Sequence, residues 1–242
     1  RENQAKGNIE ETAYWDKRQL VKKINLNSLY GALLNPGSRF NDPRMGQSTT
    51  LTGRTIARHM GAKVNELFTG IYDHVGDSII YGDTDSVYFS AYPVFRQQIE
   101  SGEFAWDKDK VTELYETVCE QANETFPDYM ATAHNVQNRE QGEIIAAARE
   151  VSATSGIYIT KKRYAILVYD NEGHREDYDD KPGKIKAMGL DLKRSDTPAF
   201  MQDFLNELLL KTLTESKQQE NIDRIIEFSS EFRNMQSKLK AT

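Results

Sequence analysis

The chain has 242 residues, a length that suits one large domain or two smaller ones. It is 38% hydrophobic and 28% charged, a globular composition, with no run of about 18 apolar residues to span a membrane. A net charge of −6 weighs against a uniformly basic nucleic-acid binder.

That average conceals a segregation. Basic residues bunch at Lys17-Arg18, Lys22-Lys23, Lys161-Lys162-Arg163, Lys184 with Lys186, and Lys193-Arg194, whereas acids dominate 100–128 and 170–180. Such a pattern is compatible with one basic groove on an otherwise acidic protein. The opening residues Arg1-Glu2-Asn3-Gln4 have no signal-peptide character and no initiating Met, so a fragment or processed product is expected. The lone Cys119 can form no internal disulfide, which fits a reducing compartment.

In chain order, residues 1–13 are polar and uninformative. Residues 14–34 predict a helix carrying Leu20, Val21, Ile24, Leu29 and Leu33 that stops at Asn35-Pro36-Gly37. Lys23, Asn27, Tyr30 and Leu34 share one face of it, with Gly31 alongside to permit a close approach. A loop is predicted over 36–50. A second helix follows over 48–69, with Leu51, Ile56, Ala57, Met60, Val64 and Leu67 facing inward.

Residues 78–90 read as strand, tight turn, strand. The turn Gly82-Asp83-Thr84-Asp85 puts two carboxylates at a hairpin tip, where hard oxygen ligands suit Mg²⁺. A polar surface turn has the same composition. A calcium loop lacks the required twelfth ligand here.

Beyond Pro93, residues 108–126 predict an amphipathic helix with Val111, Leu114, Tyr115, Val118 and Ala122 on one face. The stretch 127–149 is ambiguous. Short strands are predicted from 156 to 169, a hairpin between 163–170 and 174–178 across Asn171-Glu172-Gly173, loop at 179–183, and a strand from Lys184 to Leu192. Two amphipathic helices, 199–213 and 221–239, close the chain, with Thr197 as N-cap and Pro198 in the first turn.

Three stretches in order, Lys22 to Gly31, Tyr81 to Ser86 and Lys161 to Tyr164, together resemble family B DNA polymerases. Lys22-Lys23-Ile24-Asn25-Leu26-Asn27-Ser28-Leu29-Tyr30-Gly31 is similar to a fingers motif, Tyr81-Gly82-Asp83-Thr84-Asp85-Ser86 to the palm motif, and Lys161-Lys162-Arg163-Tyr164 to the motif beside the primer. The detail resembles most the replicative polymerases of tailed bacteriophages. The passage from Lys184 to Pro198, with Met188-Gly189-Leu190, looks like the step from palm to thumb.

The resemblance implies an α+β fold. An antiparallel palm sheet would carry the hairpin, with a C-terminal fingers helix over 1–35, palm over 36–189 and the beginning of a thumb over 190–242. It implies template-directed addition of deoxynucleotides to a primer 3′-hydroxyl with two Mg²⁺ ions.

By the same resemblance, Asp85 would be the principal metal ligand and Asp83 a supporting one. Lys23 would contact the incoming triphosphate and serve as general acid. Asn27, Tyr30 and Gly31 would shape the nucleotide pocket, while Tyr81, Lys161, Lys162, Arg163 and Tyr164 would contact DNA.

The family's further palm carboxylate motif, Asp-x-x-Ser-Leu-Tyr-Pro-Ser, does not occur in the sequence. The isolated chain is therefore expected to be inactive. It would need primer-template DNA, deoxynucleoside triphosphates and a second polypeptide or upstream segment with this motif and an exonuclease domain, working in the cytoplasm of a host cell. A non-catalytic DNA-binding scaffold is the alternative.

Overall fold

A computed structural model describes residues 9–178, 181–214 and 217–235. The chain falls into two compact units, Arg1–Arg58 and His59–Thr242. Among the described residues the elements are helices and small antiparallel sheets, so the fold is α+β as expected. No helix among them is long and apolar enough to cross a membrane.

In the first unit, helix α1 spans Ile9–Leu34. It begins earlier than predicted and ends at Asn35, whose side chain accepts from the Gly37 amide at 2.9 Å. Leu20, Val21, Ile24 and Leu29 are all more than half exposed.

Helix α2 spans Pro43–Thr69, so the predicted loop is shorter than 36–50. Proline lacks only an amide that the first turn leaves unpaired. Asp42 caps that turn, its Oδ1 accepting from the Arg44 amide at 3.0 Å.

Helix α2 continues into the second unit at His59. The predicted inward set needs correction at its ends: Leu51 is 58% exposed and Leu67 39% exposed. Polar His59 and Asn65 are buried instead. Each is satisfied, as buried polar groups must be. Asn65 Nδ2 donates to Thr69 Oγ1 at 3.0 Å and to the Ile71 carbonyl at 2.9 Å, and its Oδ1 accepts from the Ser78 amide at 3.1 Å. One side chain thereby closes the loop 70–78 that leads into the hairpin.

Strands β1 (Ile79–Asp83) and β2 (Ser86–Phe89) pair antiparallel, with Asp83 opposite Ser86. A register shift between Ile79 and Tyr81 bulges the first strand. A short helix α3 (Tyr92–Glu100) follows, with Pro93 in its first turn.

Helix α4 spans Lys108–His134, running through Pro127 rather than ending before it. Asn135, in the left-handed region at φ 54, ends it. Val111, Val118, Ala122, Phe126 and Met130 are buried, while Glu113, Glu116, Glu120 and Glu124 form an exposed acidic face. Helix α5 is a single turn, Arg139–Gly142.

The main sheet has four strands, β3 (Val151–Thr160), β4 (Arg163–Asn171), β5 (His174–Arg175) and β6 (Lys184–Met188). Strand β4 is central, pairing with β3 on one side and with β5 and β6 on the other. It is buried from Tyr164 to Asp170, which explains its nearly continuous apolar run.

Alternate residues serve two cores. Tyr164, Ile166 and Val168 pack with Tyr81, Tyr88, Val151 and Tyr158, whereas Ala165 and Leu167 pack with Leu209, Leu210 and Leu213. Strand β3 starts five residues before the predicted 156, and β6 stops at Met188 because Gly189 turns left-handed at φ 65.

Two of the sequence expectations change here. The hairpin β1–β2 is its own two-stranded sheet, joined to the main sheet by side chains and not by strand pairing. Thr197 does not cap helix α6 (Ala199–Leu213). Its hydroxyl donates to the Asp191 carbonyl at 2.8 Å, and Pro198 stands at the cap.

Helix α7 spans Gln218–Asn234 and stacks its Phe228 on Phe204 of α6, with ring centroids 3.7 Å apart. The predicted reach of this helix to 239, part of the loop 179–183, and residues 1–8 of the opening segment lie outside the described residues.

Candidate active site

The hairpin loop has two residues, Thr84 and Asp85. Thr84 sits in the left-handed region at φ 45. For a β-branched side chain that conformation costs on the order of 1–3 kcal/mol, and its persistence means the surroundings impose it.

The two carboxylates differ. Asp83, paired in the ladder, has a side chain only 18% exposed. Its Oδ1 accepts from Thr84 Oγ1 at 3.1 Å, and its Oδ2 lies 3.8 Å from Lys162 Nζ. Asp85 is exposed, and among the described residues its carboxylate has no hydrogen bond or ion pair.

Behind the carboxylates stands a cluster of four tyrosines. Tyr81 and Tyr88 of the hairpin meet Tyr158 of β3 and Tyr164 of β4, with ring centroids 5.4–5.9 Å apart. Tyr88 Oη and Tyr164 Oη share a hydrogen bond of 2.8 Å. Burial pushes the Tyr158 hydroxyl up to about 12. Burial, reinforced by the Tyr164 contact, raises Tyr88 further. Both hydroxyls therefore remain neutral at physiological pH.

Tyr81 Oη accepts from the Lys162 amide at 2.9 Å, fastening the β3–β4 turn to the hairpin. That turn, Lys161-Lys162, presents the basic motif: Lys161, Lys162 and Arg163 are all exposed. Lys162 is left-handed at φ 60. Arg163 Nε donates to the Gly189 carbonyl at 3.2 Å.

Tyr164, the last residue of that motif, is 3% exposed and turned into the core, where its contact is with Tyr88. Other basic bunches are partly neutralised: Lys186 Nζ lies 2.7 Å from Glu150, Lys184 Nζ 3.9 Å from Glu176, and Arg194 pairs with Asp196 at 2.6 Å.

The structure therefore brings together Tyr81, Asp83, Asp85 and Lys161–Arg163 at one end of the second unit. Lys23, Asn27, Tyr30 and Gly31 lie on α1 in the first unit, with Lys23, Asn27 and Gly31 exposed and Tyr30 half-buried. Sequence reading missed Thr84 and Gly189 as conformational elements and Tyr158 as a support. For Gly189 the signal was present, since a glycine ending an apolar-basic alternation marks a sharp turn.

A fissure of about 830 Å³ runs beside the hairpin, lined by Asp85, Tyr88, Tyr115, Arg149, Ser152 and Tyr158 among others. No cluster of three or more His, Cys, Asp or Glu occurs among the described residues. Two hard carboxylates on a rigid tip fit a divalent cation of the Mg²⁺ type, which keeps waters and takes one or two protein carboxylates.

Comparison with known proteins agrees with the motifs. The sequence model of DNA polymerase family B matches residues 3–105. The DNA-directed DNA polymerase of Escherichia phage RB69 is 30% identical over 206 residues, 82% of this chain and 22% of that protein. That of Enterobacteria phage T4 is 30% identical over 237 residues, 92% of this chain and 25% of that protein. DNA polymerase II of Escherichia coli K12 is 24% identical over 215 residues, 85% of this chain and 23% of that protein.

The chain is thus a relative of the family B DNA polymerases, with its likeness extending over most of its length. Of the two phage polymerases it spans about a quarter or less.

Proposed function

We propose that the chain is part of the catalytic core of a DNA-directed DNA polymerase, which adds deoxynucleotides to a primer 3′-hydroxyl under template direction. The observation that carries this reading is the strained hairpin bearing Asp83 and Asp85, fastened through Tyr81 to the basic turn Lys161–Arg163. A non-catalytic scaffold has no use for an exposed carboxylate on a strained tip that has no partner among the described residues.

In this reading Asp85 is the principal metal ligand and Asp83 the supporting one. Two bound Mg²⁺ ions would stabilise the attacking and leaving oxygens of in-line displacement at the α-phosphate. Lys161, Lys162 and Arg163 contact the backbone of the primer-template duplex, as suits an enzyme that must accept any sequence. Tyr81 stands on the same side.

Lys23 neutralises the triphosphate and protonates leaving pyrophosphate, and Asn27, Tyr30 and Gly31 shape the pocket for the nascent base pair. Residues 1–35 form the C-terminal fingers helix, 36–189 the palm and 190–242 the beginning of the thumb. A second polypeptide or upstream segment supplies the remaining carboxylate and the exonuclease, and the complex works in the host cytoplasm.

The test is Mg²⁺-dependent primer extension by the chain mixed with an upstream family B segment carrying the missing motif. Extension is expected only with both pieces, and Asp85→Ala is expected to abolish it. Robust extension by the chain alone, or an unchanged rate with Asp85→Ala, would overturn the assignment.

A further inference from the structure

The two hairpin carboxylates are set apart by one exposed cation. Lys162 is fixed by its backbone from several directions. It occupies a left-handed turn position at φ 60, and its amide is held by Tyr81 Oη at 2.9 Å. Its carbonyl faces Gly189, where any Cβ would overlap it, and Gly189 is itself left-handed at φ 65. From that anchored turn the Lys162 ammonium reaches to 3.8 Å from Asp83 Oδ2. The other Asp83 oxygen is occupied by the Thr84 hydroxyl at 3.1 Å. Both oxygens of Asp83 are engaged, whereas among the described residues those of Asp85 are not.

We propose that Lys162 is a positioning residue that holds Asp83 as a partly screened carboxylate, so that a divalent cation arriving at the hairpin is taken first by Asp85. This rests on the reading of the hairpin as a cation site and adds an order of engagement to it. A fixed ammonium beside a carboxylate offsets its charge and competes with an incoming cation for the same oxygen. The pair is partly solvated, with the lysine side chain 61% exposed, so the competition is modest and reversible. A cation needing both carboxylates must displace Lys162, and the displaced ammonium becomes available to a phosphate. Cation binding at the hairpin and nucleic-acid contact at the β3–β4 turn are thereby coupled through one side chain.

The experiment is Mn²⁺ binding to the full 242-residue chain, followed by the electron paramagnetic resonance signal of free Mn²⁺, without nucleotide or DNA. Lys162→Met is expected to tighten binding about two- to five-fold, the range of an exposed ion pair. Lys162→Arg is expected to keep wild-type affinity. In an Asp83→Asn background, Lys162→Met is expected to change nothing, because the carboxylate it shields is gone.

Unchanged affinity in Lys162→Met, with binding still abolished by Asp85→Asn, overturns the inference and leaves the cation site standing. A Lys162→Met effect that persists in the Asp83→Asn background also overturns it, since it then reflects net charge alone. Absence of Mn²⁺ binding in the wild type and in every variant removes the cation site and the inference together.

Discussion

The hydroxyls of Tyr88 and Tyr164 lie 2.8 Å apart and bond the carboxylate hairpin to the central strand of the main sheet. With no strand pairing between the two sheets among the described residues, this bond, the one from the Lys162 amide to Tyr81 and the rings around them fix where the hairpin sits. Removing one hydroxyl strands the other in a buried site. Tyr88→Phe and Tyr164→Phe are each expected to cost about 1–3 kcal/mol, while the double variant should cost less than the sum of the two. Urea denaturation of the four proteins measures the coupling, and strict additivity would count against the bond.

Arg149 and Asp170 form a second long-range tie, with side chains 7% and 6% exposed. Arg149 also reaches Glu116 on α4 at 2.9 Å, and Asp170 accepts from the Gly173 amide at 3.0 Å. Breaking one partner of a buried pair leaves an uncompensated charge. Asp170→Ala is expected to destabilise the chain by about 3–5 kcal/mol, read as a shift of the urea midpoint. Glu116→Ala, which loses the more exposed end, should cost under about 1 kcal/mol.

His59 gives a pH dependence with a definite sign. Thr125 donates its hydroxyl to the Ala122 carbonyl at 2.7 Å, so His59 Nε2, 3.0 Å away, must be the donor to Thr125. Nδ1 is then the acceptor for Tyr72 at 2.8 Å. Burial, helped by the nearby Lys63 charge and opposed by Glu66, lowers the His59 pKa below its usual 6.5. A folded pKa below the unfolded one means that the unfolded state takes up the proton first. His59 therefore contributes stability above about pH 6.5 that is progressively lost as pH falls toward its folded pKa. Relative to His59→Gln, the wild-type unfolding midpoint should fall more steeply between about pH 7 and 5. Parallel curves for the two proteins would contradict this.

Lys23 on α1 has no ion pair among the described residues, which leaves its ammonium available to a triphosphate. In the two-piece extension assay, Lys23→Ala is expected to slow single-turnover incorporation by about 10²–10⁴-fold, the contribution of a positioned acid. Lys23→Arg, which keeps the charge but not the acidity, should restore triphosphate binding more than rate. Equal recovery of both would assign Lys23 to binding alone.

Strain at Thr84 can be tested by replacement. Thr84→Gly removes a cost on the order of 1–3 kcal/mol and introduces roughly 0.5–1 kcal/mol of backbone entropy. A gain of about 1 kcal/mol in stability is expected, offset in part by the lost hydrogen bond to Asp83. A destabilised Thr84→Gly would mean that this bond outweighs the strain.

Much of this site was legible from sequence because local rules governed it. The hairpin follows from Ile79, Ile80, Val87 and Phe89 flanking a Gly-Asp-Thr-Asp turn, and the helices follow from their periodicity. Contacts between distant residues were not legible. Buried His59 and Asn65 break the apolar pattern of α2, because their partners arrive from Thr125, Tyr72, Ile71 and Ser78. The start of β3 was hidden since Ser152-Ala153-Thr154-Ser155 lacks alternation, its order coming from pairing with β4. The resemblance implies a DNA contact for Tyr164, yet alternation along β4 turns it inward.

The tyrosine cluster has a consequence for how such a hairpin drifts over generations. Where strands pair, a changed side chain leaves backbone spacing intact. Here the spacing between carboxylates and basic turn is written in the sizes of four rings and two hydroxyl bonds. A substitution among them costs stability and is also felt as displacement of the hairpin tip. Variants of this patch that keep enough stability to fold should therefore still fail where the position of Asp85 is read out.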